Sequence, residues 1–257
     1  METRRKERIN RLAQALKSAD KLRLKDAAQL LGVSEMTVRR DLNAGPAAVV
    51  LLGGYVVSDL KSSNTTNYFV SDQQTKYVAE KRVAGAVAAG LIDADDTVFF
   101  DCGTTTSFII DAIPADFPFT AVCYSLNTFL ALQEKNACNV ILCGGQYHPD
   151  NAIFTPLSQG NELDHICPDK AFISAAGIDI AAGATCFNFA ELSMKHRALS
   201  MSQQAILIAD SSKFGKIKPA CIGSLTLFDI LITDRNPTAD YLRYFSDNGI
   251  RLMNIAN

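Results

Sequence analysis

Apolar side chains at Ile9, Leu12, Ala13 and Leu16 recur at the spacing of one helical face, which predicts a helix over residues 4–18. Its other face carries Arg4, Arg5, Arg8, Arg11 and Lys17. A second helix is expected over Leu24–Leu31, with Ala27, Ala28, Leu30 and Leu31 inward. Gly32 can then adopt the left-handed conformation that ends a helix, Val33 plugs the turn, and Ser34 can cap the next helix through its hydroxyl. That third helix, SEMTVRRDLN, buries Val38 and Leu42 one turn apart and presents Met36, Thr37, Arg39, Arg40 and Asn43 outward. Two short apolar runs around Gly53-Gly54 predict a hairpin.

Residues 59–67 (DLKSSNTTN) are polar and form the best linker in the chain. Beyond them the period changes. A helix over Gln73–Ala89 leads into apolar runs at 97–100, 120–123, 140–142, 171–174, 205–209 and 230–233, each closing in a small or polar loop. Helical patterns fill several gaps, at 106–112, 126–135, 190–204 and 239–247. Strand alternating with helix implies an α/β domain built on a parallel sheet, whose ligands bind beyond the carboxyl ends of the strands. The expected division is a winged helix-turn-helix over 1–58, a linker over 59–70 and an α/β domain over 71–257.

Charge sharpens this division. Residues 1–45 hold 11 Lys+Arg against 6 Asp+Glu, whereas the remainder holds 14 against 21. A basic head on an acidic body suits a polyanion-binding module, although a merely solvated amphipathic helix has the same signature. The third helix has what a recognition helix needs: polar side chains for base edges and arginines for phosphates, on a plan that a plain three-helix bundle shares. The opening METRRKERINRL is charged and has no apolar core, and the uncharged stretch 117–133 is too polar to span a bilayer. Seven cysteines with no CxxC pair fit reduced thiols, so a cytoplasmic chain is expected, with no membrane partner, metal or cofactor.

DCGTTT is the sharpest local signal of the second domain. Asp101 ends a strand, Gly103 allows close backbone approach, and Thr104, Thr105 and Thr106 offer hydroxyls at a helix start. The pattern suits a phosphate cradle, and equally a Thr-capped turn. No GxxxxGK[ST] or GxGxxG occurs, which excludes those nucleotide-binding loops. Gly144 and Gly145 end another strand, and Lys213 puts a cation at a third. No GxSxG or HExxH is present and the three histidines have no ligand spacing, so no catalytic residue is assigned. Asp101, Glu191 and Asp210 could in principle serve as acid or base, although carboxylates in a sugar crevice more often hold hydroxyls.

The chain resembles the DeoR family of sugar-responsive bacterial repressors. The resemblance runs nearly the whole length and rests on METRRKERI, LKDAAQLLGVSEMTVRRDLN, VVLLGGY, FFDCGTTT, PFTAVCYSLNTFLAL, ISAAG with GATCFN, and DSSKFGK. It implies a winged helix-turn-helix and a sensor domain similar to ribose-5-phosphate isomerase. It also implies double-stranded operator DNA as partner, a homo-oligomer of two or more chains, and a phosphorylated sugar, deoxyribose-5-phosphate, as effector. Carried onto this sequence, the DNA contacts fall on Thr37, Arg39 and Arg40, within a surface that includes Ser34, Met36 and Asn43. The effector contacts fall on Asp101, Gly103–Thr106, Gly144, Gly145 and Lys213, with Lys81, Asn127 and Glu191 as further members. Lys195 lies in the same AELSMKH segment as Glu191. Two alternatives stay open: a phosphosugar isomerase with an accessory N-terminal domain, and a family member that answers another sugar phosphate.

Overall fold

The computed structural model describes residues 2–16, 22–43, 49–52, 54–58, 77–158 and 160–254. The chain divides into two compact units, Met1–Phe69 and Val70–Asn257. The linker expected over 59–70 and the start of the helix expected from Gln73 lie outside the described residues, as does Gly53.

The first unit runs α1 (Glu2–Ala15), β1 (Leu22–Arg23), α2 (Leu24–Leu31), α3 (Glu35–Asn43), β2 (Val49–Leu52) and β3 (Tyr55–Ser58). The apolar faces read from the sequence converge: Ile9, Leu12 and Leu16 of α1 and its end pack with Ala27, Ala28, Leu31, Val38 and Leu42. Val49 and Val56 of the hairpin close the same core. Leu30, expected inside, is 42% exposed, because only one of the two adjacent leucines can face the core. Gly32 sits at φ 65°, and its N–H closes α2 onto Ala28 and Gln29 carbonyls. Gly54 takes φ 83° at the hairpin tip. β1, which the sequence pattern missed, pairs antiparallel with β3 through Leu22–Val56 and Arg23–Tyr55, making a three-stranded wing in the order β1-β3-β2.

In the second unit α4 (Val78–Ala89) precedes β4 (Thr97–Phe100), α5 (Thr106–Ala112), β5 (Phe119–Cys123), α6 (Leu126–Gln133) and β6 (Cys138–Leu142). A hairpin of β7 (Gln146–His148) and β8 (Ile153–Thr155) follows, then β9 (Lys170–Ser174), β10 (Gly177–Asp179) and β11 (Gly183–Cys186). The chain continues through α7 (Leu192–Met201), β12 (Gln204–Ile208), β13 (Ala220–Gly223), β14 (Ile230–Ile232), α8 (Ala239–Asp247) and β15 (Arg251–Met253). All six expected apolar runs become strands of one seven-stranded sheet, in the order β15-β14-β12-β9-β4-β5-β6. Every pairing in it is parallel. Alternate residues face opposite layers. Val98, Phe100, Phe172, Ile206 and Ile208 pack with Ala84 and Ala88 of α4 and Ile109 and Ile110 of α5. Phe99, Ile173 and Leu207 pack with Met194 and Ala198 of α7 and Tyr241 and Phe245 of α8. The unexpected antiparallel sheet β10-β11-β13 joins this second layer through Ile178, Ala184 and Ile222.

The strand order reverses between β4 and β9: the chain builds outward through β5 and β6, then returns to the other flank of β4. At such a switch point the loops leaving the two central strands diverge and open a crevice at their carboxyl ends.

Candidate functional site

Two surfaces carry chemistry, one in each unit. In the first, α3 projects Met36, 74% exposed, with Arg39 and Arg40 also exposed. Ser34 caps the helix as expected, its Oγ accepting from the Thr37 N–H at 3.2 Å, and the two hydroxyls lie 3.0 Å apart. Asn43 ends α3, but its side chain lies outside the described residues. Three α1 arginines are engaged within the unit. Arg5 donates to the Asp41 carbonyl at 2.8 Å, and Arg8 pairs with the Asp41 carboxylate at 2.6 Å. Arg11 donates to the Leu30 carbonyl at 2.9 Å. These contacts fix the angle between α1 and the two helices of the motif. They orient the recognition helix and leave Arg39 and Arg40 to meet an anionic partner.

The second surface lies at the switch point. Asp101 leaves β4 fully buried, and one of its carboxylate oxygens accepts from Lys195 Nζ and from the N–H and Oγ of Ser174, the last residue of β9. The other oxygen accepts from Tyr124 OH at 2.7 Å, and the Tyr124 ring is held by stacking on Phe99 at 5.9 Å. Burial alone would raise the Asp101 pKa, but the Lys195 charge and the donors from Lys195, Ser174 and Tyr124 hold it below the ordinary carboxylate value. Lys195 is also fully buried. Burial alone would lower its pKa; the Asp101 and Glu191 charges outweigh this and raise it, keeping the ammonium charged. Glu191 lies 3.4 Å from Lys195 Nζ one helical turn away, and its other oxygen accepts from Asn151 at 3.2 Å.

Among the described residues the donors to Asp101 are Lys195, Ser174 and Tyr124, and they anchor the loop that follows it. Ser174 and Tyr124, members of the ISAAG and YSLN segments, carry no local sign of this role. Lys195 is 94 residues from Asp101, and nothing in its immediate sequence marks it as buried.

The DCGTTT loop runs from this anchor. A Cβ on Gly103 would overlap the Ser174 side chain, so the residue is glycine for close packing at the switch point. Thr104 is half-buried, while Thr105 and Thr106 are 5% and 0% exposed. Thr106 begins α5, and its buried Oγ1 meets no partner among the described residues. Gly103, Thr104 and the exposed Asn127 line one cleft of about 300 Å³, together with Cys102, Ser107, Thr128, Leu130 and Ala131. A larger cleft of about 680 Å³, between the β7–β8 hairpin and α7, contains none of the expected site residues. The smaller one is lined by residues that follow β4 and β5, at the carboxyl ends of these strands.

Lys81, Asp210 and Lys213 form a second polar group. Lys81 and Asp210 are fully buried, and Lys213 Nζ lies 3.9 Å from Asp210 Oδ2. Burial lowers the Lys81 pKa to about 8; the Asp210 charge opposes this and the Lys213 charge adds to it. The charges of Asp210, Lys213 and Glu80 thus all bear on Lys81. Gly144 is open, whereas Gly145 takes φ 130° and a Cβ there would lie 2.8 Å from the Thr155 carbonyl carbon. The expected residues are therefore divided. Gly103, Thr104 and Asn127 share a cleft, Lys81 and Lys213 share a carboxylate, Glu191 joins the Asp101 network, and Gly145 seats the β7–β8 hairpin.

A helix-turn-helix with an exposed arginine pair, joined to a parallel-sheet unit with an anion-suited strand edge, defines a ligand-sensing DNA-binding regulator. Comparison with known proteins resolves the class further. Residues 8–60 match the DeoR-like helix-turn-helix domain, and residues 76–235 match the DeoR C terminal sensor domain. The chain belongs to the DeoR family. It is 56% identical over 253 residues to the deoxyribose operon repressor of Escherichia coli (strain K12), covering 98% of this chain and 100% of that one. It is 24% identical over 246 residues to the glycerol-3-phosphate regulon repressor of the same organism, covering 96% and 97%. Among solved structures, ribose 5-phosphate isomerase A from Neisseria gonorrhoeae aligns over 52% of each chain, with 18% identity and a TM-score of 0.36. Among the described residues, no helix is long and apolar enough to cross a membrane and no metal-binding cluster occurs.

Proposed function

We propose that this protein is a cytoplasmic repressor of genes for deoxyribose and deoxyribonucleoside catabolism, released from its operator by deoxyribose-5-phosphate. The observation that carries the proposal is 56% identity, over nearly the whole of both chains, to a deoxyribose operon repressor. In this reading α3 enters the major groove. Thr37, Met36, Ser34 and Asn43 meet base edges at its start and flank, while Arg39 and Arg40 neutralise phosphates. A homo-oligomer of at least two chains sets two such helices against a palindromic operator.

The effector lies across the strand ends. Gly103–Thr106 and the Lys81–Lys213 pair hold the phosphate, and Asn127, Glu191, Gly144 and Gly145 border the sugar. Asp101 contributes by fixing the Gly103 loop. Release follows from linkage: an effector that binds the non-DNA-binding arrangement more tightly lowers operator affinity, with a coupling of about 1–3 kcal/mol. No acid–base pair is free to act at Asp101, whose oxygens are occupied by Lys195, Ser174 and Tyr124, and this favours sensing over isomerisation.

Thermal shift and operator gel shift test the reading together, with deoxyribose-5-phosphate, ribose-5-phosphate, deoxyribose, fructose-6-phosphate and glycerol-3-phosphate as ligands. A ligand at about 100 times its Kd stabilises by about 2.7 kcal/mol. Stabilisation and operator release by deoxyribose-5-phosphate, but not by deoxyribose, is the expected result. If another phosphate wins, the family stands and the effector assignment falls. Turnover of ribose-5-phosphate would make the protein an isomerase.

A further inference from the structure

The outward face of α3 combines charge with one large apolar side chain. Val38, Asp41 and Leu42 are buried and fix the inward side of the helix. At about 100° per residue, Met36 and Arg40 stand opposite them, one turn apart, with Arg39 to one side. Met36 is 74% exposed, and both arginines are exposed with it. The hydroxyls at the start of the helix are engaged in the cap: Ser34 Oγ accepts from the Thr37 N–H, and it lies 3.0 Å from Thr37 Oγ1.

Single exposed apolar residues are ordinary on a protein surface. This one is set apart by its place. It lies in the first turn of α3, on the face that the arginines define, and a recognition helix brings its N-terminal residues against base edges. Chemistry then names the base. In the major groove the bases present nitrogen and oxygen donors and acceptors, and thymine adds a C5-methyl group. A thioether side chain has no donor and only a weak acceptor. Against a polar base edge it displaces water and returns no hydrogen bond, whereas against the methyl it buries carbon on carbon.

We propose that Met36 reads thymine: its side chain packs on the C5-methyl of one thymine in each operator half-site and disfavours the other bases there. The inference rests on the reading of α3 as the helix that enters the major groove. It deepens that reading by assigning the sequence preference of one operator position to one side chain.

The test begins with selection of a preferred duplex from a random pool by the full chain. Each thymine of that duplex is then replaced, in symmetric pairs, by deoxyuridine, which lacks only the methyl. Gel shift is run at low salt, where phosphate contacts keep the weaker complexes measurable. For the natural protein, one symmetric pair is expected at which uracil weakens binding about fourfold per half-site, about fifteenfold for both. Met36→Ala binds the thymine and uracil duplexes alike, and Met36→Leu, which keeps an apolar chain, restores the preference. Met36 lies outside the core, so the three proteins should melt at the same temperature. Arg39→Ala supplies the contrast, weakening both duplexes by the same factor. If no thymine of the selected duplex depends on its methyl, or if Met36→Ala keeps the penalty, the assignment of Met36 is wrong. If the chain selects no duplex at all, the reading of α3 fails and takes this proposal with it.

Discussion

Asp101→Asn removes one charge from a fully buried ion pair and almost nothing else. The side chain keeps its size, and its amide oxygen can still accept from Ser174 and Lys195 while the amide nitrogen turns toward Tyr124, whose hydroxyl can rotate to accept. What remains is a buried Lys195 ammonium with its nearest counter-charge gone. Breaking such a pair by removing one partner typically costs about 3–5 kcal/mol. Lys195 retains Glu191 at 3.4 Å and the Ser174 carbonyl at 3.1 Å, so the lower end, about 3 kcal/mol, is expected. For a unit of this size that corresponds to a fall in Tm of about 6–12 °C. The pH dependence has a definite sign. The folded pKa of Asp101 is depressed, so its stabilisation is present above the unfolded value of about 3.9 and is lost as pH falls through the folded value. The folded pKa of Lys195 is raised, so its contribution is complete below about 10.4 and is lost only at more alkaline pH. Urea unfolding of both proteins from pH 3 to pH 8 measures this directly. A difference below about 1 kcal/mol at pH 7 would refute the claim that the pair is desolvated and structural.

The other predictions are briefer. Arg39→Ala is expected to weaken operator binding and reduce the salt slope of log K by about 0.9 while leaving effector affinity unchanged, as read by gel shift across salt concentrations. Thr105→Asp places a negative charge beside the phosphate and is expected to give a repressor that holds its operator at any effector concentration; a normal response would move the phosphate site elsewhere. Lys81→Met should abolish phosphate binding. Between pH 8 and 10.5 the unfolded chain binds a proton at Lys81 that the folded chain does not, so the natural protein should gain stability relative to Lys81→Met as pH rises through that window, as read by thermal melts. Gly145→Ala forces a Cβ at φ 130° against the Thr155 carbonyl and should cost about 1–3 kcal/mol in urea unfolding, more than the same change at the open Gly144.

What the sequence disclosed followed the strength of local pattern. The six apolar runs of the parallel sheet are legible because strands covered on both faces carry uninterrupted apolar residues. β10, β11 and β13 are not, since GID, GATC and ACIG are short, contain glycine and show no alternation. β1 has two residues and exists only because β3 lies beside it. The helix-turn-helix was readable in detail, as Gly32 and Ser34 act through their immediate neighbours. The partner that Arg5 and Arg8 of α1 share, Asp41, lies on a different helix, so no pattern within α1 discloses it. The DCGTTT loop could be found, but the reason for its first residue could not: Asp101 answers to Ser174 and Lys195, contributed by β9 and α7. Buried charge networks join distant segments, and their members resemble surface residues until the fold assembles them.

The all-parallel sheet also sets an order in time. No strand in it can pair with its successor through a tight hairpin, and the two central strands meet only when residues near 170 reach those near 98. During synthesis, β4, β5 and β6 can assemble while the flank of β4 that receives β9 is still bare, and Asp101 has no counter-charge until residue 195 emerges. The first unit, whose contacts are local, folds well before this. A ribosome that stalls or a chain cut short of α7 therefore releases a DNA-binding head on an unfinished, edge-exposed body. Such a product presents unpaired strand edges and is prone to aggregate.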